Sequence, residues 1–402
     1  MRRLLPLLIL ALAVTAACTT RSADEVASSP ASPSPEGSAG LSGDRLVVLR
    51  DDGNLVTMDR DGGSLLPLTT DAGSGLTVQQ PVASPNGRSL AWVEIRGGQA
   101  SVVTASRFGT NRVEIPLSIA PFFLEWDPTS SRLVYLGNAG ASIGLGVIEG
   151  AVAAPQDNPV GGGSPLYLAW SPNGRDLFVH VGADGLGSTD LVSELQPADD
   201  RPGTFQAPAW LPDDRIVYAA RSGGGAQQLV IVDAGERRVL ETFRGGILFV
   251  PSPDGRRLAY RIDRPDGTQA GVFVRDVEGG PATLVTGGET TAFAWSPRGD
   301  ALLLMSVEPG GEIEATHRWR VWDGRLRFVS KPFLPSPTFF SNYVPFFDQY
   351  AQALTPWAPD GRAFVFAGLV HGRAGIWVQP VRAGAAPSFV SGGEFAAWSP
   401  PE

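Results

Sequence analysis

Trp170-Ser171-Pro172-Asn173-Gly174-Arg175-Asp176-Leu177-Phe178-Val179 reads as a tight turn running into a short strand. Proline presets φ at the second turn position and glycine accepts a positive φ. The apolar residues that follow have strand character. The signature recurs as ASPNGRSLAW from Ala83, WDPTSSRLVY from Trp126, WLPDDRIVYA from Trp210 and PSPDGRRLAY from Pro251. It continues as WSPRGDALLL from Trp295 and WAPDGRAFVF from Trp357, and a truncated WSPPE begins at Trp398. The motif prolines are Pro85, Pro128, Pro172, Pro212, Pro253, Pro297, Pro359 and Pro400, spaced 43, 44, 40, 41, 44, 62 and 41 residues apart. A period of about 40–45 residues is that of a propeller blade of four strands.

Working outward from the motif, each period parses into four strands. In the copy at Trp295, Ala292–Trp295 precedes the turn, Ala301–Val307 follows it, and His317–Trp322 and Leu326–Val329 complete the blade. Asp59, Asp233, Asp276 and Asp323 end the third strand of their blades before a turn, so they read as hairpin residues rather than calcium ligands. A calcium site needs about six or more oxygens. The chain ends explain each other. The body begins at Asp44 with a second strand and finishes at Phe395–Trp398 with a first one. The spacing therefore predicts an all-β, eight-bladed propeller of four-stranded blades. Its C-terminal strand pairs with the N-terminal blade, so no sheet edge is left open.

Composition agrees. Of 402 residues, 49 are Gly and 34 Pro, which suits a turn-rich β fold and excludes a coiled coil. The hydrophobic fraction of 43% is enough for a core. Three His and one Cys exclude a clustered zinc site and a disulfide framework, and no cofactor or metal is expected. A net charge of −9 argues against nucleic acid, which calls for a basic surface.

The N-terminus reads as an address. Residues 1–17 carry Arg2 and Arg3, then an apolar run from Leu4 to Val14, too short to span a membrane. Cys18 follows Ala16-Ala17 and resembles the lipobox cysteine of bacterial lipoproteins. That resemblance implies acylation of Cys18 and an extracytoplasmic, lipid-anchored protein of the bacterial cell envelope. Residues 18–43, rich in Ser, Ala, Pro and Gly, read as a flexible tether, and 44–402 as the propeller.

The repeated WSPDG-like turn and the apolar strand after it resemble the TolB-type propeller repeat over essentially all of 44–402. The resemblance implies a cell-envelope binding propeller with no catalytic residue. TolB itself has a smaller ring and a preceding α/β domain that carries much of its partner binding, so its partners are not carried over. The repeat also resembles the propeller of prolyl oligopeptidases, without a hydrolase domain.

Three features are candidates for function. Gly140-Ala141-Ser142-Ile143-Gly144 matches G-x-S-x-G, but it falls between two strands with no helix to build a nucleophile elbow. The recurring tryptophans read as blade packing rather than a sugar-binding ring. The third feature is the 62-residue spacing, which hides an insertion at 332–352. Seven of its 21 residues are aromatic, against 9% for the whole chain. Phe339, Phe340, Tyr343, Phe346, Phe347, Asp348 and Tyr350 are the candidate binding residues. Its second half is expected to form a short helix beginning at Pro345. Strand alternation places it as a connection from the fourth strand of one blade to the first of the next. It would then share one face of the disc with the long loop Glu308 to Thr316, which carries Glu308, Glu312 and Glu314. Two readings compete: the aromatics meet a partner, or they cap the apolar edge between two blades. The function expected is non-enzymatic binding or scaffolding of a protein or envelope polymer. The alternative is a small-molecule or glycan receptor using the channel.

Overall fold

The computed structural model describes residues 43–401 apart from 151–155, 192–193, 205, 309–315 and 348–354. Cys18 and the tether therefore lie outside the described residues, as do Glu312, Glu314, Asp348 and Tyr350.

Eight four-stranded antiparallel sheets follow one another along the chain. Blade 1 runs outward from Phe395–Ser399 through Arg45–Leu49 and Leu55–Asp59 to Leu66–Pro67. Its innermost strand is the last of the chain, with Leu46 facing Trp398 and Val48 facing Ala396. The ring is thus closed by the C-terminal strand, as expected. Blades 2 to 7 begin with the inner strands Leu76–Ala83, Pro121–Trp126, Leu166–Trp170, Ala209–Trp210, Gly246–Pro251 and Thr290–Trp295. Blade 8 runs from Leu334–Pro335 through Ala363–Val370 and Arg373–Pro380 to Ser388–Ser391.

The motif turn is held by its own side chains. Ser171 Oγ accepts from Asp176 N (3.0 Å) and lies 2.9 Å from Asn173 Oδ1. Ser252 and Ser296 accept from Arg257 N and Ala301 N in the same way. Gly174 has φ +68°, and a Cβ there would lie 2.7 Å from Asp127 Oδ2 of the preceding turn. Where the motif lacks glycine, Ser130 (φ 63°) and Asp214 (φ 67°) take the left-handed conformation instead. Packing between blades is apolar. Motif tryptophans add a hydrogen bond across the seam: Trp295 Nε1 donates to Val250 O, Trp357 Nε1 to Ala294 O and Trp398 Nε1 to Pro356 O. In each case the acceptor directly precedes the motif position of the neighbouring blade.

Blade 8 departs from expectation. The insertion is not a connection between two blades; it interrupts the innermost strand of one. Leu334 and Pro335 pair with Leu369 and Gly368, and Trp357 then bridges to Phe364. Between those two contacts the partner strand advances five residues and the inner strand twenty-three, so eighteen are surplus. Subtracting them from the 62-residue spacing leaves 44, the ordinary blade length. Most of the helix expected from Pro345 falls in 348–354, outside the described residues, and a helix that was not expected precedes it. The latter spans Pro337–Asn342, in the first half of the insertion, and Pro345 sits in a 3-10 turn at Val344–Phe346. The cause is the Ser336-Pro337 pair. Ser336 Oγ accepts from Phe339 N (3.2 Å) as N-cap, and Pro337 stands at the first helical position, where its missing N–H costs nothing.

Candidate functional site: the two ends of the channel

Because the insertion leaves from an innermost strand, it enters the bore rather than lying on a rim. Its residues reach the inner strands of four other blades. Ser336 Oγ donates to Glu394 O, next to the closing strand of blade 1 (2.7 Å). Tyr343 stacks on Phe395 of that strand, 3.5 Å between centroids. The Tyr343 hydroxyl accepts from Gln80 N (3.2 Å) in blade 2. Gln80 is free to donate because the strand Leu76–Ala83 bulges between Gln79 and Val82, with Gln80 at φ 52°. Phe346 meets Phe123 of blade 3 at 5.4 Å. The 3-10 turn also contacts the inner strand of blade 7, and the helix packs on blade 8 itself.

Most of the candidate aromatics are consequently inside. Phe339, Tyr343 and Phe347 are buried, Phe346 is half-buried, and Phe340 is 40% exposed. Phe339 lies edge-on to Phe347 at 5.8 Å. Burial pushes the Tyr343 hydroxyl well above the usual tyrosine range, so it stays protonated. Of the two competing readings, the burial of Phe339 and Tyr343 fits the capping one, and among Phe339, Phe340 and Tyr343 only Phe340 projects. Its ring lies 5.3 Å from that of His317. In the neighbouring loop, Glu308 is within 3.8 Å of Arg318 and 4.0 Å of Arg320, so its charge is partly compensated.

The opposite mouth of the channel, on the side of the motif turns, holds a cavity of about 460 Å³. Its wall includes Trp170, Trp210 and Trp295 and a collar of motif prolines, with Thr355 contributed by the chain as it leaves the insertion. Nothing in the sequence reading located this cavity, because it exists only once the repeats close into a ring.

One buried group was also missed. Glu125, in the inner strand of blade 3, is 8% exposed, and burial pushes its carboxyl up to about 8. Among the described residues its Oε2 has no hydrogen-bond partner, nor do the indole N–H groups of Trp126, Trp170 and Trp210. The signal was present. The residue before the motif position is Val82, Ala169, Ala209, Val250, Ala294, Pro356 or Ala397 in the other blades, so a glutamate breaks the pattern.

The G-x-S-x-G match builds no elbow: Ser142 opens a strand, Ser142–Glu149, in a hairpin with Leu133–Ala139. His180, His317 and His371 belong to blades 4, 7 and 8. Among the described residues no group of three or more His, Cys, Asp or Glu is placed to hold a metal. None of their helices is long and apolar enough to cross a membrane.

No protein-family model matches the chain, and no curated protein matches it. Solved structures do. A eukaryotic initiation factor aligns with a TM-score of 0.55 at 12% identity, over 90% of this chain and 99% of that one. The β-propeller domain of the Trilobed protease from Pyrococcus furiosus aligns at 0.50 and 12%, over 80% and 99%. TolB from Acinetobacter baumannii aligns at 0.41 and 14%, over 71% of this chain and 63% of that one. The match thus spans less than two thirds of that TolB. These likenesses are ones of fold, and by fold the chain is an eight-bladed β-propeller whose solved neighbours include TolB.

Proposed function

We propose that the chain is a lipid-anchored, extracytoplasmic propeller that binds a protein or envelope polymer and performs no catalysis. The observation that supports this reading is Phe340, 40% exposed on a helix whose other large aromatic, Phe339, is buried in the bore. A large aromatic held outward on a fixed support is what an interface hot spot requires, since a few such residues carry most of the binding energy. Leu369, also 40% exposed, pairs with Leu334 just before that helix and adds apolar area at the same blade. Cys18, as the acylated N-terminus, would supply the anchor, with two or three acyl chains giving stable attachment. The Ser142 strand and the dispersal of the three histidines favour binding over hydrolysis.

The test is site-specific photocrosslinking in native membranes. A photoreactive residue at position 340 is expected to yield a discrete adduct that the same residue at Phe328, 49% exposed on the outermost strand of blade 7, does not. Identical patterns at the two positions would count against the reading.

A further inference from the structure

We infer that the mouth of the channel on the motif-turn side is a receptor pocket for an uncharged, ring-bearing lipophilic small molecule. The inference goes beyond partner binding, which uses the opposite face. It rests on three observations. First, the cavity is confined to the motif-turn side: its described lining comes from the inner-strand ends and motif turns of blades 3 to 8 and includes no residue of 332–352. Thr355, which follows the insertion, lies in the cavity lining, whereas Tyr343 and Phe346 reach the inner strands of blades 1 to 3 from within.

Second, the volume of about 460 Å³ falls in the range of roughly 300–1,000 Å³ that accepts a drug-sized ligand. Third, the described lining carries no charged side chain. It consists of prolines, tryptophans and small aliphatic residues, with Ser252 and Thr355 as its polar side chains. The two cations that lie against lining rings already have partners: Arg132, over Trp170 at 5.0 Å, is 3.6 Å from Glu149, and Arg257, over Trp295 at 4.8 Å, donates to Gly299 O. An ionised ligand would lose its hydration without gaining a partner, so the site selects against charge. Indole and pyrrolidine rings present flat apolar surfaces, which favour a flat or alicyclic ring over a flexible chain. The collar is open to solvent: Pro128, Pro212, Pro253 and Pro297 are exposed. A ligand therefore enters without any blade having to move.

The experiment uses Nile red, an uncharged fused-ring dye, titrated by fluorescence against the full chain. One saturable site is expected. Thr355→Trp, which adds an indole to the cavity lining, is expected to raise the dissociation constant at least tenfold. Trp210→Ala, which removes a half-buried part of the wall, should raise it several-fold. Thermal melts establish that both variants are folded, and either folded variant suffices. Binding that does not saturate, or that is unchanged in a folded variant, overturns the inference. Photocrosslinking at position 340 has no bearing on this outcome, so the two readings stand or fall separately.

Discussion

Tyr343 lies flat against Phe395, with 3.5 Å between ring centroids and 12° between ring planes. One ring belongs to the insertion in the bore and the other to the strand that closes the propeller. The piece that fills the channel therefore also grips the last strand to be added to the ring.

The first prediction separates buried from projecting aromatics. Tyr343→Ala and Phe339→Ala each empty a site in the core and are expected to cost about 3–5 kcal/mol. Phe340→Ser changes an exposed side chain and should stay within about 0.5 kcal/mol of the parent. Urea denaturation of the three single variants checks this, and equal losses at all three positions would show that Phe340 is as structural as its neighbours.

Ring closure gives the second. Deleting residues 394–402 removes the innermost strand of blade 1 together with the Tyr343 stack and the Trp398-to-Pro356 bond. The exposed edges are expected to drive aggregation. Size-exclusion chromatography and a thermal melt would expose the opposite result, a monomer with the parent melting temperature.

The third concerns the seams between blades. Trp398→Phe breaks a hydrogen bond and leaves the Pro356 carbonyl without it, whereas Trp170→Phe removes an N–H that has no hydrogen-bond partner among the described residues. Both substitutions shrink a ring by the same amount. Trp398→Phe is therefore expected to be worse by about 1 kcal/mol, the usual net value of such a bond. A difference of zero between the two melts would mean that the seam bonds contribute nothing.

Glu125 supplies a pH dependence with a definite sign. Its folded value of about 8 lies above the ordinary 4.5, so between those limits the folded state keeps a proton that the unfolded chain has released. Stability from this group is therefore fully present below about pH 4.5. It falls as pH rises, by at most about 1.4 kcal/mol per unit, and is exhausted above pH 8. Glu125→Gln removes that slope. Denaturation midpoints at pH 5 and pH 8 should diverge more in the parent than in the variant.

Anchoring can be tested on its own. Cys18→Ser is expected to move the protein out of the membrane fraction or to block its processing. Mass spectrometry of the mature N-terminus decides the matter: an unmodified terminus downstream of Cys18 is incompatible with lipid attachment.

The ring was legible in the sequence because its determinants are local and repeated. A Pro-Asn-Gly or Pro-Asp-Gly turn specifies itself within a few residues, and eight copies fix the period and the closing strand. The site was less legible because its determinants are not local. The aromatic excess at 332–352 was visible, but the direction in which it points depends on Leu334 pairing with Leu369 and Trp357 with Phe364. No spacing within the insertion encodes those pairings. Pro345 looked like a helix start and stands in a 3-10 turn, while Ser336-Pro337, a cap followed by a proline, starts a helix that the sequence reading did not place. Glu125 stood out only when the residues before each motif were set side by side.

The eighteen surplus residues leave blade 8 and rejoin it one strand-length later, so the ring and its stopper are separable parts of a single chain. Excising the surplus restores a blade of ordinary length and, with it, a propeller bored through from face to face. The outward-pointing Phe340 and the clasp on the closing strand would both vanish in that one deletion. A single detour in one strand thus makes one sector of the ring unlike the other seven, an asymmetry about the axis that eight near-identical blades have no means of generating by themselves.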